Sequence, residues 1–185
     1  MRHTDSGQAR TSVLLLIPSS SYRANDFMDA ASRLDVEVLV GIDKEPALSP
    51  SESSMVTLDF DDPDRAAEVI RDFSTDTELS AVIAVDDVGT LVAAKASRLL
   101  EIPHNSVQSV EFTRDKYALR NMLATTDLPT PTYCLISVGL DEDDLALYIE
   151  NIVFPVVLKP RNLSASQGVI PVSYTHLTLP TIYSV

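Results

Sequence analysis

Two lysines stand where an ammonium group is costly. Projected on a helix over residues 109–123, Phe112, Lys116, Leu119 and Leu123 share one stripe at spacings of four, three and four, which sets a lysine in an apolar face. Lys159 repeats the pattern: it ends the run Val156, Val157, Leu158, read as a buried strand, and Pro160 behind it withdraws a backbone donor. An inward ammonium needs an anion beside it, because an unpaired buried charge is strongly unfavourable. The bland alternative is a surface lysine whose stem lies on apolar neighbours while its head stays in water. After Lys159 comes PRNLSASQGV, a loop of small and hydroxylated residues. Its backbone N–H groups and the Ser164 and Ser166 hydroxyls can approach phosphate oxygens, and Gly168 permits a backbone turn that other residues resist. By itself that loop reads equally as a hairpin turn. Beside two inward lysines it suits a triphosphate.

Other clusters carry less. The DEDD at 141–144 could suggest a metal, but acidic residues are expected in the first turn of a helix, where they meet the positive end of its dipole. Three scattered histidines and one cysteine, Cys134, make neither a zinc site nor an internal disulfide. Lys plus Arg number 14 against 27 Asp plus Glu, a net charge of −13, which opposes binding to nucleic acid or to an anionic membrane. The longest apolar run near the start, Val13 to Ile17, is too short for a membrane span and has no cleavage site behind it. Neither export nor insertion is expected, and a reducing cytoplasm is the expected compartment.

The elements that must position these residues alternate along the chain. Residues 1–11 are polar and aperiodic, a disordered lead-in. Strands are expected at Val13–Ile17, Val36–Ile42, Met55–Phe60 and Ala81–Val85. Between them lie helices with Phe27, Ala30, Ala31 and Leu34 inward, then Ala67, Val69 and Ile70 inward, then the small-residue run LVAAKASRLL. Continuous apolar strands alternating with helices imply an α/β fold with a doubly wound parallel sheet over residues 12–107. Ligands of such sheets bind beyond the strands' carboxyl ends, here Ser19 to Tyr22, Asp43, and Asp86 with Asp87. No GxGxxG is present among only five glycines, so a dinucleotide-binding reading is weak. Residues 108–171 open a second, α+β subdomain: the 109–123 helix, a strand at Thr132–Ser137, a helix at Asp141–Glu150 and a strand at Pro155–Lys159.

The last fourteen residues, 172–185, contain no charged side chain. One choice of codons for Val172 to Thr181 reproduces a transposase-end sequencing adaptor. The stretch therefore resembles adaptor read-through and is left out of the fold reading.

The motifs DKYALRNML at 115–123, TPTY at 130–133 and FPVVLKPRNLSASQGV at 154–169 resemble the opening of the ATP-grasp superfamily's nucleotide-binding domain. Residues 12–107 look like the domain that precedes it in the carboxylate–amine ligase branch. The resemblance implies that Lys116 and Lys159 hold nucleotide phosphates and that Ser164 to Gly168 close over ATP. It implies Mg²⁺ as cofactor, with ligands expected beyond this chain, and a carboxylate and an amine as substrates. It assigns no catalytic residue and no metal ligand within the chain, which by this likeness is an N-terminal fragment without activity of its own. One glycine in the loop, where biotin carboxylase and carbamoyl phosphate synthase have several, favours an amino-acid ligase style over those two. A non-catalytic doubly wound ligand-binding domain would account for residues 12–107 but leaves the lysines and the serine loop without a role.

Overall fold

The first apolar run becomes a strand buried from Ser12 to Leu16, which is why it lacks alternation. In the computed structural model, which describes residues 11–34, 36–43, 54–149 and 152–173, β1 (Ser12–Ile17) has Leu14 and Leu16 fully buried and Leu15 at 3% exposure. The expectations for residues 1–10 and 174–185 fall outside the described residues. β1 pairs in parallel with β2 (Glu37–Ile42) on one side and β4 (Leu79–Ala84) on the other, and β3 (Met55–Thr57) pairs in parallel with β2. The order β3-β2-β1-β4 places the reversal of winding between β1 and β4.

Both sheet faces carry helices, as continuous apolar strands require. On one face α2 (Pro63–Phe73) and α3 (Thr90–Leu99) bury Ala66, Ala67, Ile70, Val92 and Ala96 against Leu14, Leu16 and Leu39. The alanines have short side chains, so two helices can lie close together on one narrow sheet. Asp62 caps α2 by accepting the Arg65 N–H at 3.0 Å, and Pro63 opens the helix where no donor is needed. The other face holds Val13, Leu15 and Val85 beneath Phe27 of α1 (Ala24–Leu34). The α/β doubly wound fold expected for this part is the fold observed.

Details differ. The strand expected over Met55–Phe60 stops at Thr57, although Leu58 and Phe60 stay buried. The chain must turn there to reach α2, and Asp59 accepts the Asp61 N–H at 2.9 Å within that turn. Leu34, expected inward, is 72% exposed as the last residue of its helix.

The chain divides into two compact units, residues 1–111 and 112–185, so the division falls inside α4 (Val107–Arg114). The second unit holds α5 (Lys116–Leu123), α6 (Glu142–Ile149), and β5 (Val156–Leu158) paired antiparallel with β6 (Ile170–Val172). Three expectations are corrected here. The single helix over 109–123 is two helices, because Asp115 is extended (φ −119°, ψ 105°). Its carboxylate caps the second helix, and Phe112 no longer shares a continuous stripe with Lys116. Thr132–Ser137 has no strand partner and is irregular. The 156–158 strand is not buried: Val157 is 54% and Leu158 47% exposed, because a two-stranded ribbon has faces that nothing among the described residues covers. No helix among the described residues is long and apolar enough to cross a membrane.

Candidate functional site

Several polar contacts among the described residues of the second unit converge on the N-terminus of α5. Asp115 Oδ1 accepts the N–H groups of Tyr117 (2.9 Å) and Ala118 (3.2 Å), which closes the open end of the helix. The same carboxylate meets Arg161 in a two-pronged pair: Arg161 Nε donates to Oδ1 at 3.1 Å and the guanidinium's NH2 donates to Oδ2. The guanidinium also lies 5.6 Å from the centre of the Tyr117 ring. Tyr117 meets Tyr133 edge to face at 6.0 Å, and the Tyr133 hydroxyl donates to Asn121 Oδ1 at 2.8 Å. The three stretches that carry the resemblance, 115–123, 130–133 and 154–169, thus meet in one connected set of contacts.

The Arg161 hydrogen bonds hold the Asp115 carboxyl down at a pKa of about 2, against partial burial that raises it and with help from the Ala118 and Tyr117 N–H groups. Because the folded value lies below the ordinary 3.8, the pair stabilises the fold in full above about pH 4 and loses that contribution as pH falls towards 2. Asp115→Asn should therefore lower stability at neutral pH and flatten its decline between pH 4 and 2. Urea denaturation of both proteins across that window is the measurement.

Lys116 turns to the hairpin loop. Its backbone N–H donates to the Arg161 carbonyl at 3.1 Å, and its Nζ donates to the carbonyls of Leu163 and, at 3.3 Å, of Arg161. The ammonium thus lies beside the segment that begins two residues past Lys159. Lys159, expected to point inward, is instead exposed just past β5, and its side chain has no hydrogen bond or ion pair among the described residues.

The serine loop folds as two successive tight turns. Gln167 N–H donates to the Ser164 carbonyl at 3.0 Å across Ala165 (φ 50°) and Ser166 (φ 60°), both left-handed as in the turns that close hairpins. Val169 N–H donates to the Ser166 carbonyl at 3.3 Å across Gly168. Among the described residues, the hydroxyls of Ser164 and Ser166 and the N–H groups of Ala165, Ser166 and Gly168 make no hydrogen bond. These are donors with capacity for an anion. Gly168 is required twice, by its φ of 65° and because a Cβ there would lie 2.7 Å from Pro160 Cγ. Gly168→Ala should cost about 1 kcal/mol for the left-handed backbone alone, and should show as faster amide exchange at Val169.

The strand ends of the first unit are arranged otherwise. Asp43 accepts from Ser19 N (2.8 Å) and Ser19 Oγ (3.0 Å), tying the ends of β1 and β2 together. Asp86 precedes a 3-10 turn, Asp87–Gly89, that leads into α3. Asp141 accepts the Asp144 N–H at 2.8 Å and so opens α6, the use expected of acids in a first turn. No group of three or more His, Cys, Asp or Glu that could hold a metal occurs among the described residues. Cys134 is exposed.

Residue types and spacing singled out the lysines and the loop as candidates, but not Asp115, Arg161, Tyr117 and Tyr133, which the structure connects to Lys116 and the loop. The available signal was an aspartate at the head of the helical segment KYALRNML, a helix start hidden inside a longer periodic run.

Residues 28–104 match the model of the ATP-grasp N-terminal domain. No curated protein matches the chain. Solved structures share its fold. The L-amino acid ligase from Bacillus licheniformis does so at a TM-score of 0.67 and 21% identity, over 91% of this chain and 40% of its own. Carboxyaminoimidazole ribonucleotide synthase from Aspergillus clavatus, complexed with ATP, gives 0.64 and 19% over 90% and 42%. Phosphoribosylglycinamide synthetase from Anaerococcus prevotii gives 0.57 and 15% over 90% and 40%. The chain spans about 40% of the length of these structures. Residues 28–104 are thus similar to the ATP-grasp N-terminal domain, and the chain shares the fold of these solved structures.

Proposed function

We propose that this chain supplies the phosphate side of the nucleotide site in an ATP-dependent carboxylate–amine ligase. The observation that carries the reading is the meeting of Lys116 with the segment between Lys159 and the serine loop, where two ammonium groups and unused N–H and O–H donors adjoin one hairpin. A triphosphate has the charge and the acceptors to engage both kinds of group. Lys159 and Lys116 would offset charge on the phosphoryl oxygens during transfer to a carboxylate. The turns at 164–169 would then lie over the phosphates and exclude water from the acyl phosphate until an amine attacks it to form an amide and release phosphate. Magnesium ordinarily accompanies such transfers; its ligands are expected outside this chain, and no step here is assigned to it.

The reaction class is tested in the protein that carries this chain, with candidate carboxylates and hydroxylamine as the amine. Carboxylate-dependent release of ADP and phosphate together with a hydroxamate supports the reading. Release of AMP and pyrophosphate would replace it with adenylation.

A further inference from the structure

Among the described residues of the second unit, Asp115 and Arg161 form a two-pronged ion pair. Asp115 is a helix cap whose two oxygens both serve Arg161, and Arg161 stands on the Tyr117 ring, between Pro160 and the serine loop. The carbonyl of the same Arg161 receives both the backbone N–H and the Nζ of Lys116. One residue thus joins the start of α5 to the loop through its side chain and its backbone.

We propose that Asp115 and Arg161 are positioning residues that clamp residues 160–163 onto the start of α5, setting Lys116, Lys159 and the Ser164–Gly168 turns at one fixed spacing for an anionic ligand. The clamp rests on the phosphate-site reading for its purpose but not for its existence. A planar guanidinium held at two points, with a ring beneath it, has little rotational freedom. The backbone on either side is constrained with it, Pro160 by its ring and by its closeness to Gly168, and Leu163 by its carbonyl on Lys116. A lysine at 161 would keep the charge but lose the fork.

The test uses the full chain and two readouts. In the absence of ligand, amide hydrogen exchange at Gln167 and Val169 should quicken about tenfold or more in Asp115→Asn and Arg161→Ala, and by an intermediate factor in Arg161→Lys. The side-chain oxygen that Asp115→Asn retains can still cap α5, so far-ultraviolet circular dichroism of that variant should be unchanged. Exchange equal to wild type in both Asp115→Asn and Arg161→Ala would overturn the clamp. The second readout is calorimetric titration with inorganic tripolyphosphate. Asp115→Asn should weaken binding in the wild-type background and have little further effect when combined with Lys116→Ala, a non-additivity that loss of general stability would not produce. Full additivity of the two changes would also overturn the proposal. If wild type fails to bind tripolyphosphate, the phosphate-site reading falls and the exchange result alone decides whether the clamp exists.

Discussion

Lys159→Ala is expected to weaken binding of ATP and of tripolyphosphate by about ten- to a hundredfold while leaving the melting temperature of the chain unchanged. The magnitude is that of one charged hydrogen bond, and its direction follows from where the side chain lies. Lys159 is exposed and has no partner among the described residues, so the folded protein loses nothing when the ammonium goes. Lys116→Ala should weaken binding by a similar factor and, unlike Lys159→Ala, also loosen the loop, because Lys116 Nζ holds the carbonyls of Leu163 and Arg161. The break at Asp115 takes Lys116 out of the continuous stripe with Phe112. Isothermal titration on wild type and both variants is the measurement. Unchanged affinity in both would make them ordinary surface lysines and withdraw the main support for a nucleotide site.

Leu16→Ala should destabilise the first unit by about 3–4 kcal/mol. Leu16 is fully buried on the central strand, and its side chain fills the space over Gly41, where a Cβ would come within 2.8 Å of it. Truncation removes the buried methyl groups and leaves a cavity beneath α2 and α3 that close-packed neighbours cannot collapse to fill. Since small domains are stable by only about 5–15 kcal/mol, the loss should be plain in a urea titration. Val157→Ala, at a site 54% exposed, should change stability by no more than about 0.5 kcal/mol. A Leu16→Ala loss below about 1 kcal/mol would mean that this sheet and its helices are not packed as observed.

Much of the first unit was legible because burial imposes a period on the chain. A strand covered on both faces must be apolar at every position, so Val13 to Ile17 and the runs near 38–42 and 81–84 announce a parallel sheet without reference to anything distant. A helix on that sheet must be apolar on one stripe, and Ala67 and Ile70 show it. The same period runs through Asp115, where one helix over 109–123 was expected and two are observed. Apolar spacing continues across a one-residue interruption, and only the capping geometry and the pull of Arg161 reveal the gap.

In the second unit local pattern is a poorer guide. Val156 to Leu158 reads as buried because it is apolar, yet burial depends on what covers a strand, and a two-stranded ribbon leaves Val157 half exposed. Lys116 and Lys159 stood out as lysines in apolar runs, and Ser164, Ser166 and Gly168 as members of a small-residue loop; their part in binding is a proposal. That Lys116 addresses the loop carbonyls, and that Asp115 grips a guanidinium 46 residues away, was decided by the tertiary structure. The sequence by itself determined the sheet, its helices and the chemical inventory, because these follow from the periodicity and side-chain type of neighbouring residues. Which members of that inventory meet was left to the fold, because an ion pair depends on a distance of about 3 Å between atoms whose separation along the chain says nothing of it.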